Sequence, residues 1–217
     1  MTPAINMKTL QKQQTGFTLI EIAIVLVIIG LLLGGILKGQ ELINSAKVKN
    51  LATDFRNIPV FIYGYQDKFK ALPGDDPVAS THVGVPVASN GNGNGIIDGN
   101  YNATSGESFL FWQEVRLAGL AAGSTNTSAL DYTPNNAVGG KIGITNAAAS
   151  PITGLSGSYI VCSNAIPGKF AKQLDITLDD GETSTGSMMV ATAGTGGAPI
   201  AAVSIVDDTP YLVCMGF

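Results

Sequence analysis

Glu21 is the one charged residue in the run from Phe17 to Leu37. A carboxylate inside an apolar segment of membrane length is costly unless a cation pairs with it, so the chemistry open to Glu21 is ion pairing. No basic residue lies in the run. Hydrolysis of the bond between Gly16 and Phe17 would supply one, an α-amino group one helical turn from the carboxylate. Amine and carboxylate could then meet within one chain or between staggered chains. A second group of chemistry-bearing residues is Asn90, Asn92, Asn94, Ile96 and Asp98, interleaved with Gly91, Gly93 and Gly95. Their spacing matches a calcium loop: oxygen side chains at positions one, three, five and nine, a backbone carbonyl at seven, Gly at six and branched Ile97 at eight. Position twelve is Tyr101 where the motif has Glu, so Asp75, Asp76 or Glu107 would have to fold back to strengthen the site. The same residues also read as a Gly-Asn turn cluster held by its own side-chain hydrogen bonds, and both readings stand. Asp175, Asp179 and Asp180 could hold a cation, although solvated charges at a helix end are the plainer reading.

Catalysis finds little to work with. His82 is the one histidine, set among turn residues without a partner motif. Gly154-Leu-Ser-Gly157 lacks the spacing of a nucleophile elbow, and there is neither a zinc-protease helix nor a phosphate-binding loop. No residue is assigned a catalytic role, the chain is read as no enzyme, and no cofactor is required; calcium at 90–98 is the one that the residues raise.

The elements that must position Glu21 are legible. Phe17–Leu37 is 21 residues long, and at about 1.5 Å per residue a helix of that length just spans the ~30 Å hydrocarbon core of a bilayer. A secretory signal would be shorter and end in a small-residue cleavage site, whereas Lys38-Gly-Gln-Glu41 follows directly, so the apolar run is retained. Lys8 and Lys12 precede it with no acidic residue, which places the N-terminus in the cytoplasm and the rest outside, although Lys47 and Lys49 weaken the bias. Met7 offers an internal start, and the choice between Met1 and Met7 stays open.

Gly16-Phe17-Thr18-Leu19-Ile20-Glu21 and the apolar run after it resemble the N-terminus of the type IV pilin and pseudopilin family. The resemblance implies that residues 1–16 are a leader removed by a prepilin peptidase, which cuts between Gly16 and Phe17 and methylates the new amine. It implies that Glu21 aligns subunits as they join a homo- or heteropolymeric filament through an inner-membrane assembly machinery, leaving membrane lipid as they do so. The chain would begin as a single-pass inner-membrane protein and end in a periplasmic or extracellular filament. Leu72-Pro-Gly-Asp75, the Gly-Asn repeat and Phe111-Trp-Gln-Glu-Val-Arg-Leu-Ala-Gly119 are similar to a group of proteobacterial pilin-like proteins. Many type IV pilins carry Pro shortly after the apolar span, where this chain has glycines near Lys38, as pseudopilins do. A major or minor pilin, an adhesive minor pilin binding a surface or glycan, and a type II secretion pseudopilin therefore all stay open, with the size of the head leaning toward a pilus. In an exported chain the even pair Cys162 and Cys214 reads as a disulfide, and heads of this family often carry such a C-terminal bridge.

Beyond Lys38, apolar residues Val48, Leu51, Phe55, Ile58, Ile62, Tyr65 and Phe69 advance by three or four, as one face of a helix does. The reading is one long helix, an apolar core segment at 17–37 and an amphipathic continuation at 38–70, with Pro59 bending it without ending it. Residues 71–217 form the head, opening with a loop to about 105. Short helices are expected over Glu107–Leu120 and around Phe170–Leu178. Strands are expected at Lys141–Asn146, Ser158–Ser163, Ser187–Ala193, Pro199–Val206 and Pro210–Met215, separated by Gly and Asp turns. The fold class is α+β, a long N-terminal helix with a small antiparallel sheet. Residues 71–217 hold four basic against twelve acidic side chains, a net of −8, which argues against nucleic acid on the head.

Overall fold

A computed structural model of the chain describes residues 16–86, 89–194 and 196–217. The leader expected at residues 1–16 lies, but for Gly16, outside the described residues. Helix α1 runs from Leu19 to Phe69 and continues through Pro59. The chain divides between Ile43 and Asn44 into two compact units.

In the first unit every residue from Gly16 to Lys38 is exposed. Among the described residues this is the one helix long and apolar enough to cross a membrane.

The second unit starts with the remainder of α1, which buries Val48, Leu51, Phe55, Ile58, Ile62 and Tyr65 along one stripe. Phe69, the last member of the expected stripe, is half-buried. Lys70 then turns left-handed at φ 57° and ends the helix. After a four-residue helical turn α2 (Ala79–His82) come α3 (Glu107–Leu117), β1 (Ile142–Thr145), β2 (Ile160–Pro167), α4 (Gly168–Leu178), β3 (Met188–Thr192) and β4 (Pro210–Gly216). The four strands form one sheet in the order β1-β2-β4-β3, every pair antiparallel. Alternation along the strands sends Ile142, Ile144, Val161, Val190 and Val213 into the main core with Phe55, Ile62, Phe111, Val115 and Leu174. The other face is apolar too: Ile160, Cys162, Ala191, Leu212 and Cys214 pack with Tyr101, Ile152 and Leu155 from the loops. Both sheet faces are therefore covered, one by helices and the other by loops.

Three expectations need correction. Pro199–Val206 is no strand; it holds a 3₁₀ turn at Ala202–Ser204. It meets β3 through a single backbone bond, Ile200 N–H to Val190 O, and Val203 is 92% exposed, so its apolar side chains do not line a sheet face. β2 runs four residues further than expected, through a register shift between Ser163 and Ile166 where Ala165 takes φ 56°. The helix expected to reach Leu120 stops at Leu117, because Gly119 at φ 79° turns the chain so that Leu120 N–H bonds back to Val115 O.

Candidate functional site

At the start of α1, Thr18 and Glu21 hold one another. Glu21 Oε2 accepts from both the Thr18 N–H and its hydroxyl at 2.8 Å, and Thr18 Oγ1 accepts from the Glu21 N–H at 3.3 Å. This is a capping box, in which the side chains at the N-cap and three residues later satisfy backbone donors that the first turn leaves free. Glu21 thus has a local role besides any role toward Phe17. The signal, Thr followed three residues later by Glu ahead of an apolar run, stood in the sequence. Phe17 is 84% exposed, directly beside this box.

In the head, the Gly-Asn loop closes over two carboxylates from elsewhere. Asp75 accepts from the N–H groups of Gly93, Asn94 and Gly95 at 2.7–3.1 Å. Glu107 accepts from those of Asn92 and Asp98 at 3.0 and 2.8 Å. Gly91 allows this approach: a Cβ there would lie 2.2 Å from the Asp75 carbonyl carbon. Asn92 Oδ1 accepts from Asn94 N–H, and Asn94 Oδ1 accepts from Ile96 N–H. Asp98 Oδ2 takes the side-chain amides of Asn92 and Asn94. Asn90 faces another way, its Oδ1 accepting from Ser80 N–H. Asp75 and Glu107 do fold back onto the loop, but their oxygens receive backbone donors. The arrangement is a turn cluster braced by carboxylates.

Next to it, Asp76 Oδ2 accepts the Tyr65 hydroxyl at 2.9 Å and lies 2.6 Å from His82 Nδ1, while His82 stacks on Phe69 with ring centroids 4.9 Å apart. The histidine braces the end of α1. On α3, the fully buried Glu114 accepts from Gly74 N–H through Oε2, and its Oε1 has no partner. Burial pushes this carboxyl up to about 8 against the pull of the Gly74 bond. Arg116 ties the following loop through the carbonyls of Ala122, Ser124 and Tyr132, its guanidinium 5.5 Å from the Trp112 ring. Neither Glu114 nor Arg116 was singled out by sequence. Glu114 lies three residues beyond Phe111 on the apolar side of α3, the available sign that its carboxylate is buried.

Cys162 and Cys214 sit directly opposite one another on β2 and β4, their sulfurs bonded at 2.09 Å. Residues 11–37 match the family described as the prokaryotic N-terminal methylation motif. The match therefore spans the polar approach, the Gly16-Phe17 junction, Glu21 and the exposed apolar segment as far as Leu37. No curated protein matches the chain.

Proposed function

We propose that this type IV pilin-like or pseudopilin protein is a structural subunit of a pilus-like filament, assembled through α1 after a prepilin peptidase cleaves between Gly16 and Phe17. The observation that carries the reading is the wholly exposed apolar stretch from Phe17 to Leu37, interrupted by one carboxylate four residues after the Gly-Phe junction. Such a stretch needs lipid or the apolar flanks of neighbouring copies to cover it. Before assembly the subunit rests in the inner membrane with its head exported; afterwards α1 lies in the filament core. There the methylated Phe17 amine of one subunit pairs with Glu21 of the next, since a buried cation left unpaired would disfavour the contact.

The capping box dictates which variants to test. Glu21→Gln keeps a capping side chain but removes the charge, whereas Thr18→Val removes the cap's hydroxyl and keeps the charge. Filament material sheared from cells should begin at methylated Phe17 by N-terminal mass analysis. Glu21→Gln and Glu21→Ala should both be processed and membrane-inserted yet yield no sheared filament, while Thr18→Val should assemble. Normal filament yield from Glu21→Gln would refute the charge pairing and leave Glu21 a cap alone. A mature N-terminus elsewhere than Phe17 would overturn the processing.

A further inference from the structure

Where α4 ends, three carboxylates converge. One oxygen each from Asp175, Asp179 and Asp180 lies within 4.8 Å of the others. Among the described residues the ion pairs of Lys38, Lys70, His82, Lys169 and Lys172 all go to other acids, so none of the three has a cationic partner. Asp175 is fully buried: its Oδ1 accepts from Gly181 N–H at 2.7 Å, and its Oδ2 is buried without any hydrogen-bond partner. A buried carboxylate oxygen without a partner is disfavoured unless a proton or a cation meets it, and beside two further carboxylates a single cation would neutralise what one proton cannot. Its neighbours are held in place by hydrogen bonds. Asp179 Oδ2 accepts from Met188 N–H at 2.8 Å and Oδ1 from the Ser187 hydroxyl at 3.1 Å. Asp180 accepts from Glu182 N–H at 2.9 Å and from the Thr185 hydroxyl at 3.1 Å. At Gly186, φ +80°, a Cβ would lie 2.1 Å from Asp179 Oδ2, so the loop needs a glycine to close around that carboxylate.

We propose that Asp175, Asp179 and Asp180 form a binding site for a hard divalent cation, with calcium the preferred ion. The donor set is all carboxylate oxygen, with no imidazole or thiolate to favour zinc or copper. Calcium accepts six to eight oxygens in irregular geometry and so suits carboxylates already fixed by hydrogen bonds, whereas magnesium demands a near-ideal octahedron. A cation here would tie the end of α4 to the start of β3, because Asp179 already bonds to Met188.

The test uses the full chain in detergent micelles, stripped with EDTA and titrated with calcium chloride by calorimetry and by thermal unfolding. One calcium per chain is expected, with a dissociation constant of about 10⁻⁴–10⁻³ M, the range of extracellular calcium modules, and a melting temperature that rises with calcium. Asp180 is exposed, so Asp180→Asn keeps the fold and should weaken binding at least about tenfold. Asp175→Asn should abolish binding; if it fails to fold, the Asp180→Asn result decides. Asp98→Asn, in the Gly-Asn loop, should bind like wild type. Absence of binding at millimolar calcium, wild-type binding by Asp180→Asn, loss of binding in Asp98→Asn, or tighter binding of magnesium chloride would each overturn the proposal.

Discussion

Glu114 shows how a single buried carboxyl couples the head to pH. Its folded value of about 8 lies above the ordinary value of 4.5, so folding takes up a proton between those limits. Stability from this group is fully present below about pH 4.5 and is lost as pH rises toward 8, the reverse of a salt-bridged acid. Asp54, raised by burial to about 6, acts in the same direction over a lower window. Glu114→Gln should therefore flatten the fall in melting temperature between pH 5 and 8 and leave the variant more stable than wild type at pH 8. Parallel pH profiles for the two would show that Glu114 is ionised in the fold. Residues of this kind were the least legible ones. Glu21 announces itself because nothing else in its run is charged, but Glu114 looks like any polar helix position until α1 and the Gly74 turn close over it. The sequence leaves Asp175, with Asp179 and Asp180, open to cation binding or to solvation at a helix end, and only tertiary packing reveals the oxygen without a partner.

Among elements, those with strong periodicity were readable and those defined by one or two long-range bonds were not. The stripe from Val48 to Tyr65 marks the buried face of α1, and the strands around Ile144, Val161, Val190 and Val213 are short apolar runs between turn residues, as strands covered on both faces are. Pro199–Val206 has the same composition but follows β3 at the sheet's edge, where one backbone bond does not make a ladder. The bulge in β2 depends on Ala165 adopting a backbone angle that alanine seldom takes, which no local pattern announces. The strand pair best secured is β2 with β4, the two central strands, joined by Cys162 and Cys214. Closing the 52-residue separation between them should contribute about 3–5 kcal/mol to the head. Replacing both by Ser should lower the denaturant midpoint accordingly, and the wild type should resist thiol labelling until reduced. Full labelling of both cysteines in unreduced, exported protein would contradict the bridge.

The whole chain carries two solvents' worth of sequence. From Phe17 to Leu37 it is apolar on every side save for Glu21, while residues 71–217 are glycine-rich and strongly acidic. Composition conveys that contrast at once, yet it misleads about the segment from Asn90 to Asp98, whose glycines and asparagines suggest a slack connection. The backbone there is tied down: the amides of Asn92, Gly93, Asn94, Gly95 and Asp98 all donate to Asp75 or Glu107. Its amide protons should therefore exchange with heavy water on the slow timescale of the sheet, and Asp75→Ala should release them to the fast exchange of an open chain. Fast exchange at Gly93–Gly95 in the wild type would disprove the bracing. The consequence reaches proteolysis: a stretch of alternating glycine and asparagine, which composition marks as easily cut, would be among the last of the head's loops to be cleaved.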